Sequence, residues 1–332
     1  MVRCGTRSAR WALLLAVLLG CGGTTSGGGG EGADGTAGAG GEGGSAGAPS
    51  LEFDCNVEAP DNCPSTPPNT IDATRPAQVT VPEGYTVETR YPLVVVLHAA
   101  ASNGTAAALY LGATDRLEAR EFVLLTPNAL PDVDGNLAWN TGATSPAFDG
   151  SAPDDLGYLR RLLEEAQRAY RIDAARVYLM GSSGGANLAL DLVCAQPEVV
   201  AAVISQAGAL PAESACSDDA TALLSIHGTN DVSVPFGGGI LFPNGVEVLS
   251  AVNLVSGFAQ RTGCGAAQNL AGIDLVADLP GAETRVQAYE SCPAGTAHEL
   301  WAVQQAPNRP DFTEGARDLW FDWLFARMRT AP

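Results

Sequence analysis

The stretch Arg176-Val177-Tyr178-Leu179-Met180-Gly181-Ser182-Ser183-Gly184-Gly185-Ala186-Asn187-Leu188-Ala189-Leu190 sets the narrowest limits on the fold. Val177 to Met180 is a short β-rich apolar run, and Ala186 to Leu190 has the composition and spacing of a helix. Strand, sharp turn and helix therefore follow one another with no loop between. Gly181-x-Ser183-x-Gly185 fits a nucleophile elbow, where a serine sits on a strained turn and the flanking glycines lack the Cβ atoms that would keep strand and helix apart. Read as chemistry, Ser183 is an acyl-transfer nucleophile; read as structure alone, it is a surface serine on a glycine-rich turn.

The rest of the chain from residue 51 onward repeats the same alternation. Leu93–Leu97, Phe122–Leu125, Val177–Met180, Val199–Ile204 and Leu223–Ile226 are continuous apolar runs, as in strands of a parallel sheet buried on both faces. Thr105–Arg120, Asp154–Tyr170 and Gly184–Ala195 read as helices between them, the second opening on two acidic residues where a helix start favours negative charge. Such alternation predicts an α/β fold: a mostly parallel, doubly wound sheet with crossover helices, in one domain over 51–332.

The N-terminal segment is expected to direct export. Arg3, Arg7 and Arg10 precede the apolar run Trp11–Leu19, which is too short to cross a bilayer and reads as the core of a signal peptide over 1–20. Leu18-Leu19-Gly20-Cys21 resembles a lipobox, which would make Cys21 the lipidated first residue of the mature protein. Residues 21–50 are almost entirely small, with no large apolar side chain, and are expected to act as a flexible tether. The expected location is outside the cytosol, held to the cell envelope by lipid or extracellular.

Composition narrows the chemistry. The formal net charge is −19, and more negative once the three leader arginines leave, which argues against nucleic acid or an anionic membrane surface as partner. All 18 basic residues are arginine, so Schiff-base chemistry, a serine–lysine dyad and a P-loop are excluded. Six cysteines remain after Cys4 and Cys21: Cys55, Cys63, Cys194, Cys216, Cys264 and Cys292. In an exported protein an even set favours disulfides. Neighbourhood favours Cys55 with Cys63, Cys194 with Cys216, and Cys264 with Cys292. No Cys-x-x-Cys or close histidine pair supports a zinc site, and neither metal nor organic cofactor is expected.

Ligand chemistry in a doubly wound sheet gathers beyond the carboxyl ends of its strands. The chain has 3 histidines, His98, His227 and His298. His98 and His227 end apolar runs and read as structural; His98 opens a loop whose backbone N–H near Ala99, with that of Gly184, would form an oxyanion hole. Asp231, on a turn past Leu223–Ile226, is placed to orient an imidazole. His298 reads as a loop residue after the strand Arg285–Tyr289, free to reach the same rim. The order Ser183, Asp231, His298 is that of α/β-hydrolase triads, so these three are the expected catalytic set. Trp139 and Trp301 are candidates for the substrate pocket wall, with buried packing the alternative for both.

Pro92–Ala100, Asp154–Leu163, Val177–Ala189, the segment His227-Gly228-Thr229-x-Asp231-x-x-Val234-Pro235 with Gly237–Gly239, and the tail Cys264, Cys292, His298 together resemble secreted polyhydroxybutyrate depolymerases. They are equally similar to feruloyl and acetyl-xylan esterases. The likeness covers roughly Arg75 to Ala302 and implies an α/β-hydrolase fold, the triad Ser183, Asp231 and His298, and donors at Ala99 and Gly184. Two departures stand out. Ala99 replaces a glycine after His98, which would strain the loop if φ there is positive, and Ala297-His298-Glu299-Leu300-Trp301 replaces a Gly-His followed by Trp-Pro. The implied function is an exported serine esterase acting on a small or oligomeric ester through an acyl-enzyme. Its substrate would be a hydroxyalkanoate oligomer or polymer, or alternatively a feruloyl or acetyl ester on plant polysaccharide. The rival from another class is a surface-anchored binding protein on a hydrolase scaffold.

Overall fold

The structure, a computed structural model, describes residues 55, 63–64, 66–148, 150–217 and 221–329. The signal segment 1–20, Cys21 and the tether 21–50 lie outside the described residues. No helix among the described residues is long and apolar enough to cross a membrane.

The chain runs β1 (Thr70–Ile71), β2 (Ala77–Thr80), β3 (Tyr91–Leu97), α1 (Gly104–Tyr110), α2 (Ala113–Arg120), β4 (Val123–Thr126), β5 (Leu130–Pro131), β6 (Leu137–Ala138), α3 (Asp155–Ala169), β7 (Ile172–Ser182) and α4 (Gly184–Ala195). It continues with β8 (Ala202–Gln206), β9 (Ala222–Gly228), β10 (Gly239–Leu241), β11 (Val246–Val248), α5 (Ala251–Arg261), β12 (Ala267–Asn269), β13 (Thr284–Tyr289), β14 (His298–Val303) and α6 (Glu314–Phe325). Ten strands form one sheet in the order β1-β2-β4-β3-β7-β8-β9-β14-β13-β12. The six from β4 to β14 are parallel, and the pairs β1–β2, β2–β4, β13–β14 and β12–β13 are antiparallel. From β3 the sheet is wound outward both ways, as the alternation predicts, and this is the α/β-hydrolase arrangement that the resemblance implies.

Each parallel strand feeds two cores, because successive side chains leave opposite faces. Leu93, Val95 and Leu97 join Val177 and Leu179 against α3, α4 and α5, which contribute Leu159, Leu162, Leu188, Leu192, Leu254 and Phe258. Val94 and Val96 join Tyr178 and Met180 against α1, α2 and α6, with Leu117, Trp320, Phe321 and Leu324. Helix starts are capped in the usual way: Asn103, Asp154, Ser250 and Thr313 each accept a backbone N–H of the first turn. Burying those two layers is what fixes the register, since a shift of one residue would exchange the cores.

Two expectations change. The single helix over Thr105–Arg120 is two, α1 and α2, divided at Gly112 with φ of 76°; a Cβ there would also lie 2.6 Å from the Arg317 side chain. The larger change concerns His298, which is not in a loop after the last strand: it is the first residue of β14, a strand in its own right. Leu300, Trp301, Ala302 and Val303 are buried, and two polar residues at the strand's start hid its apolar run.

All three disulfides pair as neighbourhood suggested: Cys55–Cys63, Cys194–Cys216 and Cys264–Cys292.

Candidate active site

The elbow exists as read. β7 ends at Ser182, α4 begins at Gly184, and Ser183 between them holds φ 51° and ψ −119°, a conformation side chains rarely adopt. The glycines on either side are dictated by contact. A Cβ on Gly181 would sit 2.5 Å from the Ala186 Cα, and one on Gly185 would sit 2.3 Å from the Leu97 carbonyl oxygen. Gly184 has open space around it. Ser183 is anchored through its backbone, its N–H donating to the Gln206 carbonyl at 2.8 Å. Its hydroxyl has no hydrogen-bond partner among the described residues.

That hydroxyl opens on a cleft of about 220 Å³. Ser183, Gly184 and Asn187 form its floor; Ala100, Trp139, Thr141 and Thr144 stand on one side, and Ser233, Val234 and the β10–β11 turn with Leu241 and Phe242 on the other. Phe242 is 81% exposed at the mouth. From the same turn, Asn244 Nδ2 donates to the carbonyls of Ala143 and Ser145, tying the hairpin to the opposite wall.

The loop after β3 is braced by His98, which is buried. Ala129 N–H donates to its Nε2 at 2.9 Å, so Nδ1 carries the proton and donates to the Ala99 carbonyl at 2.7 Å. Burial pushes its pKa down, and with both nitrogens committed it holds the loop as a neutral brace. Trp139 adds a second brace, its Nε1–H donating to the His98 carbonyl at 2.9 Å. Of the two pocket candidates, Trp139 lines the cleft while largely buried. In this loop the positive φ falls on Ala101, at 57°, and Ala99 is free of it, so alanine in place of glycine at 99 carries no backbone strain.

Asp231 lies just past β9 on the same rim. Its Oδ1 accepts the N–H groups of Ser233 at 2.8 Å and Val234 at 2.9 Å. Burial alone would raise its pKa, but hydrogen bonds from His227, the Val234 N–H and Asn308 outweigh it and the net shift is downward. His227 gives its Nε2–H to the Val234 carbonyl at 2.9 Å and stands 3.4 Å from Asp231 Oδ2.

His298 does not join this set, and the predicted triad is corrected here. Register places His298 opposite Leu223, Leu223 opposite Val203, and β8 Val203 opposite Leu179, so His298 is level with the middle of β7. From Leu179 to Ser183 is about 13 Å along the strand, and β7 to β14 is about 14 Å across three strand spacings. The imidazole is fully buried at the amino end of the sheet, its Nε2 2.8 Å from Thr262 Oγ1. Burial and the Arg261 charge hold its pKa down at about 4. Trp301 is corrected with it: it is buried inside β14, in the core beside α6, with Nε1–H on Glu299 at 2.9 Å, and it is not part of the cleft.

Beside His227, the group that meets Asp231 Oδ2 is an amide. Asn308 Nδ2 donates to Asp231 Oδ2 at 2.7 Å. It comes from the loop after β14, which lies flat on the end of β9: Asn230 N–H donates to Ala306 at 3.0 Å, and Gln305 N–H to Thr229 Oγ1 at 2.9 Å. Only a residue without a Cβ admits that loop at 228, since one there would stand 2.3 Å from the Ala306 carbonyl oxygen. Gln206 completes the frame, accepting from Ser182 Oγ at 2.6 Å and donating through Nε2 to the Asn308 carbonyl at 2.6 Å. Ser183, through Gln206, is thus tied to Asn308 and Asp231 by one run of hydrogen bonds. Asn308 and Gln206 were not picked out from sequence, because neither residue type signals proton transfer. The usable signal was topological: the loop following the last parallel strand supplies whatever faces the acid.

Among the described residues no group of three or more His, Cys, Asp or Glu is placed to hold a metal ion. The arrangement offers a strained serine over a cleft and an ionised carboxylate, but no imidazole hydrogen-bonded to the serine.

Residues 77–234 match the family model described as Esterase PHB depolymerase, a span that holds Ser183 and Asp231 and ends before Asn308. The chain is 24% identical to a probable feruloyl esterase C of Aspergillus niger over 48% of its own length and 56% of that protein. It is also 24% identical to a probable feruloyl esterase C of Aspergillus terreus, over 66% of its own length and 78% of that protein. In the first of these the chain spans little more than half the relative's length. The acetyl xylan esterase from Aspergillus awamori shares the fold with a TM-score of 0.52 at 13% identity, covering 75% of this chain and 93% of that one. The resemblance read from the sequence holds: residues 77–234 match the esterase family model described for polyhydroxybutyrate depolymerases, and the chain is similar to feruloyl esterases C, which are carboxylic ester hydrolases.

Proposed function

We propose that the protein takes a carboxylic ester into the cleft at Ser183 and accepts its acyl group on the Ser183 hydroxyl, as an ester hydrolase of the feruloyl or acetyl-xylan type. The supporting observation is Ser183 itself, held at φ 51° between contact-fixed glycines with its hydroxyl unpartnered over the cleft. A carbonyl carbon at the serine would put its oxygen toward the N–H groups of Ala99 and Gly184, which stabilise the charge that grows there. The leaving alcohol exits through the mouth beside Phe242. Hydroxyalkanoate esters are the competing substrate within the same chemistry, and the family match supports them.

A second reading, ester binding without appreciable turnover, is favoured by the amide of Asn308 on Asp231. Both readings are for a protein outside the cytosol, which the three disulfides support. The signal segment 1–20 and a lipid on Cys21 with the tether 21–50 would place it at the cell envelope, reachable by ester but in contact with membrane only through the lipid.

Fluorophosphonate labelling of the native protein, followed by peptide mapping, tests the assignment. An adduct on Ser183 is expected, and a panel of p-nitrophenyl esters, methyl ferulate and hydroxybutyrate oligomers then ranks the acyl groups. Absence of any adduct on Ser183 in folded protein would remove the acyl-transfer reading.

A further inference from the structure

We infer that Asn308 occupies the seat of the general base, so that this site retains its acyl group instead of releasing it. The inference rests on the acyl-transfer reading of Ser183 and deepens it.

The geometry is that of a relay with one member exchanged. Asp231 is ionised, buried and fixed by two backbone N–H groups, and its remaining oxygen receives a donor at 2.7 Å. In a serine relay that donor is an imidazole, whose second nitrogen takes the serine proton. The Asn308 amide supplies the donor and nothing more, because an amide nitrogen has no lone pair able to hold a proton near neutral pH. None of the imidazoles is hydrogen-bonded to the serine: His98 has both nitrogens on Ala99 and Ala129, His227 gives Nε2–H to Val234 beside Asp231 and keeps Nδ1 buried away from solvent, and His298 bonds Thr262 at the far end of the sheet.

The two half-reactions then suffer unequally. In acylation by an activated ester, Ser183 Oγ bonds the carbonyl carbon and the bond from carbon to the leaving oxygen breaks. A nitrophenolate leaves without needing a proton, and the serine proton passes to bulk water. In deacylation, a water oxygen bonds the acyl carbon and the bond from carbon to Oγ breaks. Water must lose a proton and Oγ, a strongly basic alkoxide, must gain one, and no side chain at the site serves either need. The acyl-serine therefore forms slowly and is lost more slowly still.

The test is time-resolved mass spectrometry of the full protein with p-nitrophenyl acetate. Wild type is expected to accumulate acetyl on Ser183 and to lose it over hours after removal of the ester. Asn308→His is expected to deacylate faster by on the order of 10²–10⁴-fold, the range general acid–base catalysis supplies, with a rate that rises through the imidazole's pKa. Added free imidazole should speed wild-type deacylation in the same pH-dependent way, a readout that stands even if the variant folds poorly. A wild-type acyl-serine that turns over as fast as the variant's, with no response to imidazole, overturns the inference while leaving Ser183 as the acceptor. No acetyl on Ser183 in either protein sinks the acyl-transfer reading and this inference with it.

Discussion

The two ends of the central sheet carry the same kinds of side chain and use them oppositely. At the carboxyl end, Asp231 is ionised, Ser183 faces a cleft, and the Asn308 amide on the loop after β14 donates to Asp231. At the amino end, His298 is sealed from water, neutral, and spent on the hydroxyl of Thr262, with the Phe258 ring 6.2 Å away. Residue type carries no role until register says which end of a strand it stands on. A histidine at the start of β14 and one six residues later, past its end, would do entirely different work.

The sharpest way to break this contrast is a pair of substitutions. Ser183→Ala is expected to abolish fluorophosphonate labelling completely, while His298→Ala leaves labelling of Ser183 intact. The second variant should instead lose about 2–4 kcal/mol of stability, from the cavity and the lost hydrogen bond to Thr262, read as a lowered urea midpoint. Loss of labelling in folded His298→Ala would return that imidazole to the catalytic set.

Steric tests of the elbow come next in size. Gly185→Ala places a Cβ 2.3 Å from the Leu97 carbonyl oxygen and must push β3 away from α4. A loss of about 3 kcal/mol or more is expected. Gly184→Ala meets nothing within 4 Å and is expected to keep or slightly raise stability, since alanine is the better helix former. Equal urea midpoints for the two variants would mean that the glycines mark composition rather than contact.

How much of this was legible in the sequence follows from the same contrast. The elbow, the two-faced strands and the cysteine pairs were readable because each depends on local pattern: a glycine spacing, a continuous apolar run, a short loop between cysteines. Asp231 was readable because a turn past an apolar run falls on the correct rim. β14 was not, since His298 and Glu299 begin it and only Leu300 to Val303 carry the apolar signal. Misplacing that one strand start by a loop moved a buried histidine to the wrong end of the molecule. Asn308 was hidden for a different reason. Its role comes from what it replaces, and an asparagine between Pro307 and Arg309 has no property that announces a base. The far wall of the cleft, from β10 to β11, depends on Asn244 reaching the carbonyls of Ala143 and Ser145 about a hundred residues away, a pairing with no local pattern.

The smallest effect is in pH dependence, and it separates a buried base from a half-buried acid by sign. His298 has its pKa lowered to about 4 by burial and then by Arg261, whereas the unfolded chain's histidine titrates near 6.5. On acidification the unfolded chain binds the proton first, so stability present above about pH 6.5 is lost as pH falls toward about 4. Asp191 on α4, the helix that starts at the elbow, runs the other way. Burial raises its carboxyl to about 7, and it has no partner among the described residues. Here the native state keeps a proton that the unfolded chain releases above about pH 4, so stability is lost as pH rises from about 4 to about 7. The two slopes oppose each other in wild type and flatten its curve. Urea unfolding of Asp191→Asn across pH 4 to 8 should therefore show stability that climbs with pH where wild type is level, the asparagine having removed the falling branch. His298→Ala should show the mirror image, a decline with pH left uncompensated. If the Asp191→Asn curve runs parallel to wild type throughout, the α4 carboxyl is ionised in the folded protein and only the amino end of the sheet holds a displaced titration.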